Sequence, residues 1–374
     1  MVPTRILRRA RPLGLLLTSV ASLVVCRAYA QGDVASPDPP DEASARTGFG
    51  IWTYGKPLDK DREGAATYLD DEVLSLLGDA GVYFVYGLRQ KDIGPELLER
   101  LGRCRAAGIE VHVSVTPMAK DVEFVNIWSF ERLKDEIDEV LAFLGAAGLL
   151  GDPVTTLVYD MEPLVEKQFP LYGKNWGVIR QLRRYGAIQR QFVEFNRHVR
   201  QAHGLEVRIC SSLIQAMDPW DGDNDLMCLF GLMGDAEASM SYMTYRRGDF
   251  GRDYIVDHCR LLDGGDTIIL NAWKKKDHFC WGDLQCAIDD ARLVLSCPDK
   301  TFGLEIWALW YFLKSYGVEG LRAFTQALSG DPSEWPTVNV CHEGLRSITW
   351  RLLLTGTSLL DSFAPMFRAG FSAY

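Results

Sequence analysis

Two carboxylates separated by one residue, Asp160 and Glu162, close the apolar run Thr155-Thr156-Leu157-Val158-Tyr159-Asp160-Met161-Glu162-Pro163. In an extended strand, residues two apart project from the same side, so both acids face one way. Carboxylates held this close repel each other. One proton is retained, and the pKa of one group rises toward the range where a general acid works near neutral pH. A third acid, Glu305, interrupts Phe302-Gly303-Leu304-Glu305-Ile306-Trp307-Ala308-Leu309, in which Leu304, Ile306 and Ala308 suit one face and Glu305 and Trp307 the other. A carboxylate on an enclosed face needs a partner or a chemical task. For Glu305 this is either an ion pair with Arg208 or another interior arginine, or a place in catalysis or substrate binding.

These acids depend on the elements that carry them. From Gly48 onward, short segments rich in β-branched and aromatic residues alternate with longer segments of helical period. Eight strands are expected, at Phe49–Tyr54, Val82–Leu88, Glu110–Thr116, Thr155–Glu162, Glu206–Leu213, Ala238–Tyr245, Thr267–Trp273 and Phe302–Leu309. Helices are expected at Leu69–Ala80, Pro95–Ala107, Ser129–Ala147, Trp176–Ala202, Tyr254–Leu262, Trp281–Ser296 and Gly317–Leu328, with a further short one at Leu345–Leu354. Leu133, Ile137, Val140, Leu141 and Leu144 show the three- and four-residue steps most clearly. The α/β alternation predicts a (β/α)8 TIM barrel over residues 48–374, ending in a short helical extension. No Gly-x-Gly-x-x-Gly follows the first strand and no Gly-rich loop precedes a late helix, so no cofactor is indicated.

In such a barrel the chemistry sits at the C-terminal strand ends. Trp52 and Tyr54 close strand one, Tyr86 strand two, and Ser114 and Thr116 strand three. Gln215 follows strand five, Tyr242 stands in strand six, and Asn271 and Trp273 end strand seven. Trp307 is placed as the floor for a sugar ring, because the apolar face of a pyranose stacks on an indole. Aromatic platforms, amides and hydroxyls at one end describe a polyhydroxylated, nearly neutral ligand. The formal net charge of −10 argues against nucleic acid or an anionic membrane as the main partner. Trp220, in the long connection after strand five, is a candidate extra subsite. The acidic cluster beside it (Asp221, Asp223, Asp225) lacks the Gly and terminal Glu of an EF-hand loop, so it reads as a solvated loop.

The first 30 residues carry Arg5, Arg8, Arg9 and Arg11, an apolar run from Leu13 to Val25, and Ala28-Tyr29-Ala30. This is the pattern of a secretory signal peptide cut near Ala30. The apolar run is short for a membrane span, so a secreted or periplasmic protein without stable membrane insertion is expected. Residues 31–47, rich in Pro, Asp, Ser and Ala, read as a flexible leader. Eight cysteines follow the signal, an even number that suits disulfides in an oxidising compartment, or buried free thiols. No Cys-x2-Cys or paired His spacing indicates a metal site.

The chain resembles glycoside hydrolase family 18, the chitinase and endo-β-N-acetylglucosaminidase group. In that family the fourth strand ends in Asp-x-x-Asp-x-Asp-x-Glu, the sixth carries Met-x-Tyr-Asp, and the eighth carries a Trp at the base of the sugar site. Here Asp160-Met161-Glu162, Met240-Ser241-Tyr242 and Trp307 match. Thr155 and Val158 replace the first two acids, Met243 replaces the Asp after the Tyr, and Ser114-Val115-Thr116-Pro117 stands where two glycines are usual. The family 25 lysozymes share the Asp-x-Glu strand end. The family 18 resemblance implies a retaining glycoside hydrolase acting on a carbohydrate that contains N-acetylhexosamine. Glu162 would be the general acid, Asp160 would orient the substrate's acetamido group, and Tyr242 would hydrogen-bond the oxazolinium ion. A two-carboxylate mechanism would instead pair Glu162 with Glu305 or Asp160. The competing class is a non-catalytic, lectin-like sugar-binding barrel.

Overall fold

A computed structural model of the chain describes residues 48–54, 69–116, 125, 129–161, 185–212, 235, 237–244, 252, 255–256, 259, 262, 265–272, 283–297 and 300–338. The signal and leader segments, the 345–354 helix, Glu162, Gln215, Trp220 and Trp273 lie outside these residues.

Eight parallel strands close into one barrel in sequence order. They are β1 (Gly50–Tyr54), β2 (Tyr83–Leu88), β3 (Val111–Val115), β4 (Val154–Asp160), β5 (Glu206–Ser212), β6 (Ser239–Thr244), β7 (Thr267–Asn271) and β8 (Gly303–Trp307). Closure is made by β1 against β8, with Gly50 opposite Glu305 and Ile51 opposite Ile306. Six helices are described: α1 (Asp71–Asp79), α2 (Pro95–Ala106), α3 (Phe130–Ala146), α4 (Tyr185–His203), α5 (Leu284–Leu295) and α6 (Leu309–Leu328). This is the (β/α)8 TIM barrel expected from the alternation.

Local chemistry sets the helix starts. The Asp70 carboxylate accepts the Val73 N–H at 2.9 Å, and Asp71 and Glu72 occupy the positive first turn of α1. Asp283 caps α5 in the same way through the Cys286 N–H, at 2.8 Å. Pro95 opens α2, where its missing N–H costs nothing. Leu133, Ile137, Val140, Leu141 and Leu144 form the buried stripe of α3.

The core divides into two shells because strand residues alternate between faces. Residues such as Ile51, Phe84, Val113, Leu157, Ile209 and Ile306 pack outward against the helices. Trp52, Val85, Val158, Cys210 and Ile269 pack against one another inside the barrel.

Most element ends fall within one or two residues of the sequence reading, and two of the differences bear on the site. β4 ends at Asp160 rather than Glu162, and α6 begins at Leu309 rather than Gly317. The run Leu309-Trp310-Tyr311-Phe312-Leu313 looks strand-like by propensity, but its backbone turns helical directly after β8. Gly317, at φ 68°, then kinks the helix where the sequence placed its start. The five described cysteines, Cys104, Cys210, Cys259, Cys286 and Cys297, are free thiols and none is bridged. Among the described residues no helix is long and apolar enough to cross a membrane.

Candidate active site

Register fixes which residues look into the barrel. Asp160 pairs with Cys210 and stands two residues after the inward Val158, so it projects inward at the C-terminal end of β4. Its backbone is held on both sides: the carbonyl accepts the Val125 N–H at 3.0 Å, and the next N–H, of Met161, donates to the Cys210 carbonyl at 2.8 Å. On the outer face of the same strand, Tyr159 donates to Asn196 Oδ1 of α4 at 2.8 Å. Asn196 Nδ2 in turn donates to Asp235, which also accepts from Arg200. This buried chain clamps β4 to α4 and fixes the strand that carries the carboxyl.

Asp160 retains partial exposure as a residue, but its Oδ1 is shut off from solvent and no donor among the described residues reaches it. Burial pushes its pKa up to about 7. The protonated form is therefore favoured in the fold. That contribution is complete below about pH 4 and is lost as pH rises through 7. The neutral variant Asp160→Asn should gain on wild type over that window, by about 2 kcal/mol at pH 8 once partial exposure is allowed for, and by little at pH 4. Urea denaturation at the two pH values measures this; a gap independent of pH would refute it.

Three other inward residues share this end of the barrel. Trp307 and Asn271 are register neighbours on β8 and β7. The Trp307 indole donates from Nε1 to Tyr54 Oη at 2.8 Å. The Tyr54 ring occupies the space beside Gly87 of β2, where a Cβ would come within 2.4 Å of it. Tyr311, in the first turn of α6, brings its ring within 5.5 Å of Trp307. The sequence reading missed Tyr311. It lies between Leu309, where the expected eighth strand ends, and Gly317, where the next expected helix begins, a stretch to which the sequence reading assigns no element. The Trp307–Ala308 peptide is cis.

Glu305 is inward, as its alternation implies, but it sits two residues below Trp307, roughly 6–7 Å deeper in the barrel. It is fully buried. Oε1 accepts from Arg208 Nη1 at 2.6 Å and from Tyr83 Oη at 2.9 Å, while Oε2 accepts from Trp52 Nε1 at 2.8 Å. Of the two roles left open for this acid, the geometry gives the ion pair with Arg208. Tyr83 stacks on His112 with ring centroids 4.4 Å apart, and the Arg208 guanidinium carbon lies 5.5 Å from the centre of the Tyr83 ring. Burial raises the Tyr83 hydroxyl above its usual range and lowers His112 below its own, so both are neutral. A Cβ at Gly50 would fall on the Tyr83 ring and 2.7 Å from Glu305 Cγ, which explains the glycine at the closure of β1 on β8. Trp52 is correspondingly buried at 2% exposure and forms part of the interior plug, not an open platform.

Tyr86 and Tyr242 do not line the mouth. Both belong to the outward shell: Tyr86 Oη accepts from Arg100 of α2, and Tyr242, in register with Ile268, packs between barrel and helices. The inward residue of the Met240-Ser241-Tyr242 triplet is Ser241, fully buried with its Oγ unpartnered among the described residues. The expectations for both tyrosines are therefore corrected by one residue of strand parity. Of the predicted site, the structure brings Asp160, Tyr54, Asn271 and Trp307 to one end and puts Trp52 and Glu305 beneath them.

No protein-family model matches the chain, and no curated protein matches it. Among solved structures, a GH18 chitinase from Pseudoalteromonas aurantia is similar at 10% identity and a TM-score of 0.44, over 75% of this chain and 99% of that one. A β-mannanase from the blue mussel Mytilus edulis is similar at 9% identity and 0.42, over 78% and 94%. A D-psicose 3-epimerase from Clostridium cellulolyticum H10 is similar at 10% and 0.40, over 75% and 96%. Likeness this distant, shared by a chitinase and an epimerase, decides nothing about chemistry. The functional reading rests on the site.

Proposed function

We propose that this protein is an exported glycoside hydrolase that cleaves an oligo- or polysaccharide containing N-acetylhexosamine, with Glu162 as general acid and Asp160 as its buried partner. The observation that carries the reading is the Asp160 carboxyl. It is enclosed at the C-terminal end of β4, has no described protein donor on Oδ1, and has a pKa near 7, at the barrel end where Trp307, Tyr54 and Asn271 also gather. An enclosed carboxyl oxygen without a donor suits a ligand N–H.

In the proposed reaction Glu162 donates its proton to the glycosidic oxygen as the bond to the anomeric carbon breaks. The substrate's acetamido carbonyl oxygen bonds to that carbon, giving an oxazolinium ion. Asp160 accepts the acetamido N–H and, as a carboxylate, balances the developing positive charge. Water then attacks the anomeric carbon, Glu162 takes its proton, and the configuration is retained. Glu305 has no part in these steps, since its oxygens are committed to Arg208, Tyr83 and Trp52. Tyr242 has none either, since it faces the helices.

Turnover is expected on N-acetylated oligosaccharides and not on their de-N-acetylated counterparts, with inhibition by a thiazoline analogue of the oxazolinium ion. Equal hydrolysis of both substrates would replace substrate assistance with a mechanism using Asp160 and Glu162 as two carboxylates. Binding of glycans without turnover of any would establish the lectin-like barrel instead.

A further inference from the structure

At the mouth, one hydrogen bond and one close approach link β8, β1 and β2. Trp307, part-exposed at the end of β8, carries a single polar side-chain atom, the indole nitrogen, which can only donate. That N–H is committed to Tyr54 Oη of β1, at 2.8 Å. Tyr54 is in turn opposite Gly87 in the register of β1 with β2. A Cβ at Gly87 would stand 2.4 Å from two carbons of the Tyr54 ring, so the glycine leaves the room that the ring fills. From α6, Tyr311 packs against the same indole, with ring planes inclined at 42°. Trp307 is thus fixed through the one group by which an indole could hydrogen-bond a ligand, and what it offers to a ligand is its apolar face.

We propose that Tyr54 is a positioning residue for sugar binding: it holds the Trp307 indole at the tilt on which a pyranose ring stacks, and Gly87 is the notch that lets it do so. The inference rests on the sugar reading of the mouth and deepens it, because Tyr54 moves from contact with the substrate to a place behind that contact. An indole meets the C–H face of a pyranose, so the contact depends on the plane of the ring and weakens when that plane tilts. Packing restrains an indole from the side, whereas a hydrogen bond to its N–H restrains the direction in which the plane points. Tyr54→Phe deletes that restraint and little else, since the ring that fills the space beside Gly87 is kept. Gly87→Ala acts on the same link from the neighbouring strand, by pushing the Tyr54 ring out of place.

The test measures affinity for triacetylchitotriose, a soluble N-acetylated trisaccharide, by calorimetry on the full chain in a Glu162→Gln background, where turnover does not interfere. Tyr54→Phe is expected to raise Kd about fivefold, and Gly87→Ala to raise it in the same direction. Once Trp307 is replaced by Phe, adding Tyr54→Phe should change Kd no further, because a residue that acts only through its neighbour has nothing left to act on. Without sugar, Tyr54→Phe should shift tryptophan emission, and that shift should vanish in Trp307→Phe. An unchanged Kd in Tyr54→Phe would overturn the proposal. So would an equal rise with and without Trp307, which would put Tyr54 in direct contact with the sugar. Binding by wild type without cleavage would sink the hydrolase reading alone, since the same affinities still decide the role of Tyr54; no binding by wild type would overturn both.

Discussion

Replacing Glu162 with Gln is expected to lower kcat on an N-acetylated oligosaccharide by roughly 10²–10⁴-fold while leaving KM nearly unchanged. The amide keeps the size and hydrogen-bonding capacity of the acid but has no proton to deliver to the glycosidic oxygen. The defect should depend on the leaving group. A sugar alkoxide is a poor leaving group and needs protonation, whereas a nitrophenolate leaves unaided, so the ratio of wild-type to variant rates should shrink sharply on a nitrophenyl glycoside. Steady-state kinetics on the two substrates separate loss of the acid from general damage, because a misfolded variant loses both activities in proportion.

The second large effect is on stability. Glu305→Ala removes one member of a buried ion pair and leaves the Arg208 guanidinium, only 13% exposed, without its carboxylate. Desolvation of an unpaired charge makes such single deletions cost about 3–5 kcal/mol. The Trp52 indole N–H and the Tyr83 hydroxyl lose their acceptor as well. Glu305→Gln fills the same space and still offers Trp52 an oxygen, but it leaves the Arg208 charge unpaired, so it should cost less than Glu305→Ala yet more than about 1 kcal/mol. Denaturant midpoints of wild type and the two variants give the ordering. If Glu305→Ala cost under 1 kcal/mol, the network described beneath the mouth would be wrong.

Much of this layout was legible in the residue order, and what was not has physical reasons. Asp160 stood out because an otherwise apolar strand ends in a carboxylate, a placement that needs an explanation from sequence alone. For Glu305 and Trp307, alternation with Leu304 and Ile306 gave the correct face. It could not give depth, because the height of a residue in a closed barrel depends on the stagger between strands, which no single strand encodes. Glu305 therefore belongs to the plug, while Trp307, two residues on, reaches the mouth. Tyr86 was placed on the wrong face because both faces of a barrel strand are buried. Phe84, Tyr86 and Leu88 look as suited to the interior as Tyr83, Val85 and Gly87. In β6 the signal existed: Ser239 and Ser241 alternate with the bulky Met240 and Tyr242, and the small residues are the ones that fit inside.

The central claim is that sugar chemistry takes place at the Asp160 end of the barrel and that Glu305 only supports it from below. One comparison tests this most directly: hydrolysis of a single N-acetylated oligosaccharide by wild type, Glu162→Gln and Glu305→Gln, each confirmed folded and compared by kcat. The account predicts turnover by wild type, its near abolition in Glu162→Gln, and kcat within a few-fold of wild type in Glu305→Gln. Abolition in Glu305→Gln with Glu162→Gln still active would contradict it, as would the absence of turnover in wild type.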